Sequence, residues 1–338
     1  MLETHLRIPT IECKLPNLSI NNSILDIGTR SLLETQYESD YTYFQYKKLT
    51  KELSQIETMC VMSTINQSQH FWHMMLGEFL PLVSLIRTNM PKKIILYKMQ
   101  IESPFNAFYT ELVERIPQLE IEIHGDMEQI DERYSLLIPW DHVTLEDLQH
   151  SGDDTRLRHA IDYLKTLVPP SNQKKSEFII EKRVHDTRLN SYYEQYYADK
   201  TGKAQTFMQK HGKSRRGVHN MTNIIQTIQM EYPDATVVSG TSQTRLFDQI
   251  RAHMYANTFV FEHGAAMFYI LCMQPKATLI EIIPENKSKN TRNKAVQATK
   301  WLAAFGQHHL RRVIVRGTHG KADIATIMKC LRDMSDES

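Results

Sequence analysis

The sequence predicts an α/β protein built from two doubly wound domains, each a parallel sheet flanked by helices. Three observations predict it. Strand-like and helix-like segments alternate along most of the chain, which is the pattern of parallel strands joined by crossover helices. The length of 338 residues exceeds what one hydrophobic core serves, so two domains are the natural prior. A double proline followed by polar residues, VPPSNQKKSE from Val168 to Glu177, interrupts the alternation near mid-chain. The domains are therefore expected at residues 1–170 and 171–338, with the final helix either remaining in the second domain or packing back on the first.

Taken in order, residues 1–64 hold short apolar segments between polar turns, Ser23 to Ile27, Tyr41 to Tyr46 and Thr58 to Ser63, and read as strands. The stretch QSQHFWHMMLGEFLPLVSLIR, Gln67 to Arg87, carries apolar residues at helical spacing, and Pro81 inside it is expected to kink or interrupt the helix. Strands are then expected at KKIILYK (Lys92 to Lys98), LEIEIH (Leu119 to His124) and SLLIPW (Ser135 to Trp140), with helices at Pro104 to Arg115 and Arg156 to Val168. Beyond the linker the alternation restarts with the strand EFIIEK, Glu177 to Lys182. A helix from Val218, a strand from Ala235 and a helix near Thr244 to Tyr255 lead to FVFEHGAAMFYILCMQPKATLIEIIP, which reads as strand, tight turn, helix and strand. A helix around Trp301, the strand RRVIV from Arg311 and a helix from Asp323 to Asp333 close the chain.

Composition narrows the function. Forty basic residues against 39 acidic ones give bulk electrostatics no preference for nucleic acid. The chain has no apolar run of the roughly 18 residues that a membrane-spanning helix needs, and MLETHLRIPTIECKLP lacks a signal-peptide pattern. A cytoplasmic protein is expected. Cys13, Cys60, Cys272 and Cys330 are far apart, which supports neither a zinc site nor a disulfide framework. P-loop, G-x-G-x-x-G and G-x-S-x-G patterns are absent.

The chemistry-bearing residues gather at expected carboxyl ends of strands, where ligands bind in open α/β sheets. Glu262-His263-Gly264-Ala265 leaves a strand and opens a helix, so its free N–H groups suit a phosphate. Lys182-Arg183 follows the first strand of the second domain, and Ser214-Arg215-Arg216-Gly217-Val218-His219-Asn220 precedes a helix. Guanidinium groups from both can clamp a diphosphate together with His263, although loop Lys and Arg are also commonly just solvated. Glu281 is read as ending its strand, where a carboxylate can accept from two ribose hydroxyls or lie exposed without a role. Gln249 can bond the turn, the ligand or neither. In the first domain His70, His73 and Glu78 are not spaced for a metal, and His73 or Glu78 is the candidate general base, a buried structural histidine or a solvated glutamate being the plainer alternatives.

With these residues assembled, the chain resembles glycosyltransferase family 61. The pieces that carry the resemblance are HFWHMMLGEFLP, FIIEKR, RRGVHN, LFDQI and HGAAMFYILCMQPKATLIEIIP, in the family's order over roughly residues 57 to 284. The resemblance implies a GT-B fold, two Rossmann-like domains facing across a cleft. It further implies inverting transfer of a sugar, xylose or another pentose or hexose, from a UDP-sugar to a hydroxyl of a glycan or glycoprotein, without a metal or other cofactor. The alternative is a non-catalytic nucleotide- or sugar-binding module on the same fold. Carried onto this chain, Arg183, Arg215, Arg216, Asn220, Gln249, Glu262, His263, Gly264, Ala265 and Glu281 become donor-site candidates, with Glu78 and His73 on the acceptor side. Two departures stand out: Glu262 precedes His-Gly-Ala where the family commonly has a small residue, and Gly77 stands four residues after His73 where the family has a carboxylate, with Glu78 one place later. Eukaryotic members carry a membrane anchor, so a bacterial or viral origin, or a truncated chain, is the matching expectation.

Overall fold

The computed structural model describes residues 5–9, 41–45, 58–63, 71–98, 103–124, 135–138, 154–170, 175–182, 218–240, 244–285, 294–316 and 320–335. The fold is mixed α/β with parallel sheets, as expected, and the chain divides into two compact units, Met1–Leu167 and Val168–Ser338.

The first unit contains an antiparallel pair, β1 (His5–Pro9) with β2 (Tyr41–Gln45), in addition to its main sheet. That sheet comprises β3 (Thr58–Ser63), β4 (Lys93–Lys98), β5 (Glu120–His124) and β6 (Ser135–Ile138), all parallel and ordered β5-β4-β3-β6. The strand order steps outward from β3 and then returns to its other side, so the order reverses between β3 and β6. Helix α1 runs through Phe71–Met74, a π turn Met75–Phe79 and Leu80–Asn89, followed by α2 (Ala107–Arg115) and α3 (Asp154–Thr166), the last packed on α1.

Pro81 does not break α1. The Leu80 N–H bonds the Met75 carbonyl five residues back, so the widening occurs ahead of the proline, which then falls in the first turn of the following α segment. A proline there lacks an N–H that the segment does not use. From Met74 to Ile86 every residue is buried, as in a helix that is apolar on all sides and runs through a core. Met90 ends it in the left-handed conformation with its N–H on the Ile86 carbonyl.

The second unit has one parallel sheet ordered β11-β10-β9-β7-β8. Its strands are β7 (Phe178–Glu181), β8 (Thr236–Val238), β9 (Thr258–Glu262), β10 (Thr278–Pro284) and β11 (His309–Val315). Between them lie α4 (Met221–Glu231), α5 (Leu246–His253), a 3₁₀ helix (Ala265–Cys272), α6 (Lys294–Phe305) and, last, α7 (Ile324–Ser335). Helix α7 packs within this unit, its Ile327, Met328 and Leu331 sharing one core with α4 and with Val260, Ile280, Ile282, Val313 and Val315 of the sheet.

Strand alternation sends the remaining residues to the opposite face. Phe259 and Phe261 stack at 4.6 Å there, and α5 meets them through His253, whose ring lies edge-on to Phe259 at 5.0 Å. His253 also stacks on Tyr269 of the 3₁₀ helix, centroids 4.4 Å apart, and its Nδ1–H donates to the Gln249 carbonyl at 2.8 Å. Burial pushes the His253 pKa from 6.5 down to about 4, only partly offset by the bond to Gln249. The folded state therefore holds fewer protons than the unfolded chain between those values, and stability is lost as pH falls through that window. The expected loss is about 3 kcal/mol. Urea unfolding of wild type from pH 7 to pH 4 should show it, and His253→Phe should flatten the acid limb; an equally steep limb in the variant would place the effect elsewhere.

Candidate functional site

In the second unit the strand order reverses between β7 and β9, and open α/β sheets take ligands outside the carboxyl ends of strands at such a reversal. Strand β7 ends on Glu181 and β9 on Glu262, both nearly inaccessible. Glu262 shares the strand face of Val260. Beyond β9 the chain passes through His263 and Gly264 into a 3₁₀ helix, not the expected α-helix. Gly264 is extended, with φ 161° and ψ −153°, and its carbonyl accepts the Met267 N–H at 3.1 Å. The first N–H groups of such a helix have no acceptor within it, and Ala265, which opens it, is exposed.

The His263 side chain does not line this mouth. By parity it follows Phe259 and Phe261 into the covered face, where it is fully buried and its Nδ1 lies 2.6 Å from Glu281 Oε1. Glu281 does not end its strand: β10 continues to Pro284, which leaves the carboxylate in the middle of the strand with no exposed surface. Thr299 of α6 donates to Oε1 at 2.8 Å, and the Nε–H of Arg312, its cross-strand neighbour on β11, donates to Oε2 at 2.6 Å. Burial pushes the Glu281 pKa up, but the bond and charge of His263, the charge of Arg312 and the Thr299 bond outweigh it and hold the group below the ordinary value. A carboxylate in this position is held by the protein and is not offered to a ribose.

Two further donor-site candidates are also engaged internally. Asn220 precedes α4 and bonds Ala322 in both directions, its Nδ2–H donating to the carbonyl at 2.8 Å and its Oδ1 accepting from the N–H at 2.9 Å. The His219 N–H reaches the Gly320 carbonyl beside it at 3.2 Å. Gln249 accepts from the Tyr269 hydroxyl and donates to the Thr244 carbonyl at 3.1 Å. Next to it the Gly240 N–H donates to Glu181 Oε1 at 3.2 Å, and a Cβ on Gly240 would stand 2.7 Å from Gln249 Oε1, which explains the glycine. Arg183, Arg215 and Arg216 lie outside the described residues.

In the first unit Glu78 sits in the π turn of α1 with no exposed surface and accepts from the Tyr109 hydroxyl of α2. Burial, followed by the charge and bond of Glu78, pushes the Tyr109 pKa well up, so the phenol stays a donor. His73 lies in the turn of α1 just before the π turn. The widened turn absorbs one residue, so at the level of the backbone the five-residue step from His73 to Glu78 spans what a four-residue step spans in an α-helix.

Sequence reasoning missed Tyr109, Tyr269, Thr299 and Arg312, all of which hold a polar residue it did single out. The available signal was Glu281 itself: a charge flanked by the apolar residues Leu279, Ile280, Ile282 and Ile283 of one strand requires buried partners. Among the described residues no group of three or more His, Cys, Asp or Glu is placed to hold a metal ion, and no helix is long and apolar enough to cross a membrane.

The family model described as Glycosyltransferase 61 matches residues 69–280, more than half of the chain. No curated protein matches it.

The Asn220 clamp yields a direct test of which residues hold the frame. Asn220→Ala leaves the Ala322 N–H and carbonyl without their partner and should cost about 1–3 kcal/mol in urea unfolding. Unchanged stability would mean that the clamp carries no load.

Proposed function

The chain belongs to glycosyltransferase family 61 and is a glycosyltransferase, and we propose that it moves a sugar from a UDP-sugar to a hydroxyl of a glycan or glycoprotein with inversion. The observation that carries the donor half is the exit of β9: an exposed Ala265 opening a helix whose first N–H groups have no acceptor in it, at the carboxyl edge where the strand order reverses. In this reading the N–H groups after Gly264 receive the diphosphate, and Arg183, Arg215 and Arg216 neutralise the charge that grows on it as the glycosidic bond breaks. Asn220, Gln249, His263 and Glu281 hold the surrounding frame. A parallel sheet with helices in each of the two units supports reading the enzyme as GT-B.

The chemistry is one displacement. The acceptor oxygen bonds to the anomeric carbon as the bond to the diphosphate breaks, the electron pair leaves with UDP, and the acceptor proton passes to a base. No metal takes part in this scheme. Glu78 is inaccessible and already accepts from Tyr109, which favours His73 as the base and Glu78 as the group that sets the turn beneath it.

Isothermal titration of the full chain with UDP tests the donor half, and Arg216→Ala should weaken binding about tenfold or more, as expected for a lost charge-assisted contact. Equal affinity in the variant would remove Arg216 from the site. For the base, His73→Ala should lower kcat by about 10²–10⁴ in a transfer assay across UDP-sugars. Glu78→Gln should act mainly on stability; the reverse ranking would exchange the two roles.

A further inference from the structure

The polar contacts beneath the β9 exit form a single support with Glu281 at its centre. Oε1 takes the Nδ1–H of His263 at 2.6 Å and the hydroxyl of Thr299 at 2.8 Å, while Oε2 takes the Nε–H of Arg312 at 2.6 Å. These donors come from the residue that follows β9, from α6 and from β11, so the plane of the carboxylate is fixed from three sides. His263 is in turn held twice, by its ring on Glu281 and by its N–H on the Ile282 carbonyl at 2.9 Å. The next residue is Gly264 and the one after it Ala265, where the exposed turn begins. A backbone anion site works only if its N–H groups are held in place before the ligand arrives.

We propose that Glu281 is a positioning residue for the donor: acting through His263, it fixes the Gly264–Ala265 turn in the shape that receives a diphosphate, without touching the donor itself. The proposal rests on the donor reading given above and adds to it the residue on which the shape of the site depends. Because Glu281 accepts from Nδ1, that nitrogen carries a proton, and Nε2 is the nitrogen directed away from the carboxylate. The ionised state of Glu281 follows from the same geometry, since His263, Arg312 and Thr299 together outweigh its burial.

The test uses the full chain labelled with ¹⁵N-histidine, in wild type, Glu281→Gln and Thr299→Val. In wild type, long-range proton–nitrogen spectra should show His263 protonated at Nδ1. In Glu281→Gln a neutral form without the Nδ1 proton should become populated, and UDP affinity measured by titration should fall about tenfold, the size of effect that losing the outer support of a binding group produces. Thr299→Val keeps the charge and removes one of the bonds, so it should show a fall in the same direction of about threefold. It decides the matter if Glu281→Gln does not fold. Wild type that binds UDP while the folded variants bind it equally well sinks the positioning role alone, as does a His263 tautomer indifferent to Glu281. Wild type that binds no nucleoside diphosphate sinks the donor reading, and the positioning role with it.

Discussion

A single negative charge in the middle of an apolar strand organises the second unit. Glu281 has no access to water, so it is tolerable only with its oxygens fully engaged, and the elements that engage them must be present together. Strand β11 supplies Arg312, α6 supplies Thr299 and the residue that follows β9 is His263. Breaking such an arrangement from one side costs about 3–5 kcal/mol, because it strands the charge that remains. The consequence is specificity of placement: the sheet cannot slide, nor can α6 rotate, without leaving that carboxylate unsatisfied.

Much of this fold was readable beforehand, and the part that was not has one physical cause. Alternation of TFVFE, TLIEIIP and the intervening apolar helix identified the parallel sheet. What failed was the direction of individual side chains. His263 and Glu281 were read as able to meet a ligand because both were expected at carboxyl ends of strands, yet parity, counted from Phe259 and Phe261 or from Leu279, turns both to the covered face. Asn220 and Gln249 escaped for a different reason: their partners, Ala322 and Tyr269, are distant in sequence, and no local pattern announces them. Polar character alone thus does not separate a residue open to a ligand from one that the fold engages internally.

The first unit shows the same division in a helix. A proline and an apparent one-residue offset between His73 and Glu78 both looked like defects in α1, and one widened turn accommodates both. The turn is stabilised where it widens, since Glu78 accepts from Tyr109 and the neighbouring rings of Phe79 and Tyr109 lie 5.6 Å apart. A π turn is an expensive local geometry that persists when tertiary contacts favour it, and here those contacts come from α2.

The clamp between Asn220 and Ala322 joins residues 102 apart, and Arg332 reaches back to Glu231 over 101. Both tie α4 to the last helix of the chain. On a ribosome adding about 5–20 residues per second, the start of α4 waits some 5–20 s for its partner to be made. During that interval the apolar face of α4, with Ile224, Ile225 and Ile228, gains β8 to β11 one after another but not yet the helix that later covers its flank. The core of the second unit is thus closed only once Ala322 and α7 have been made, and until then one flank of α4 lacks its cover.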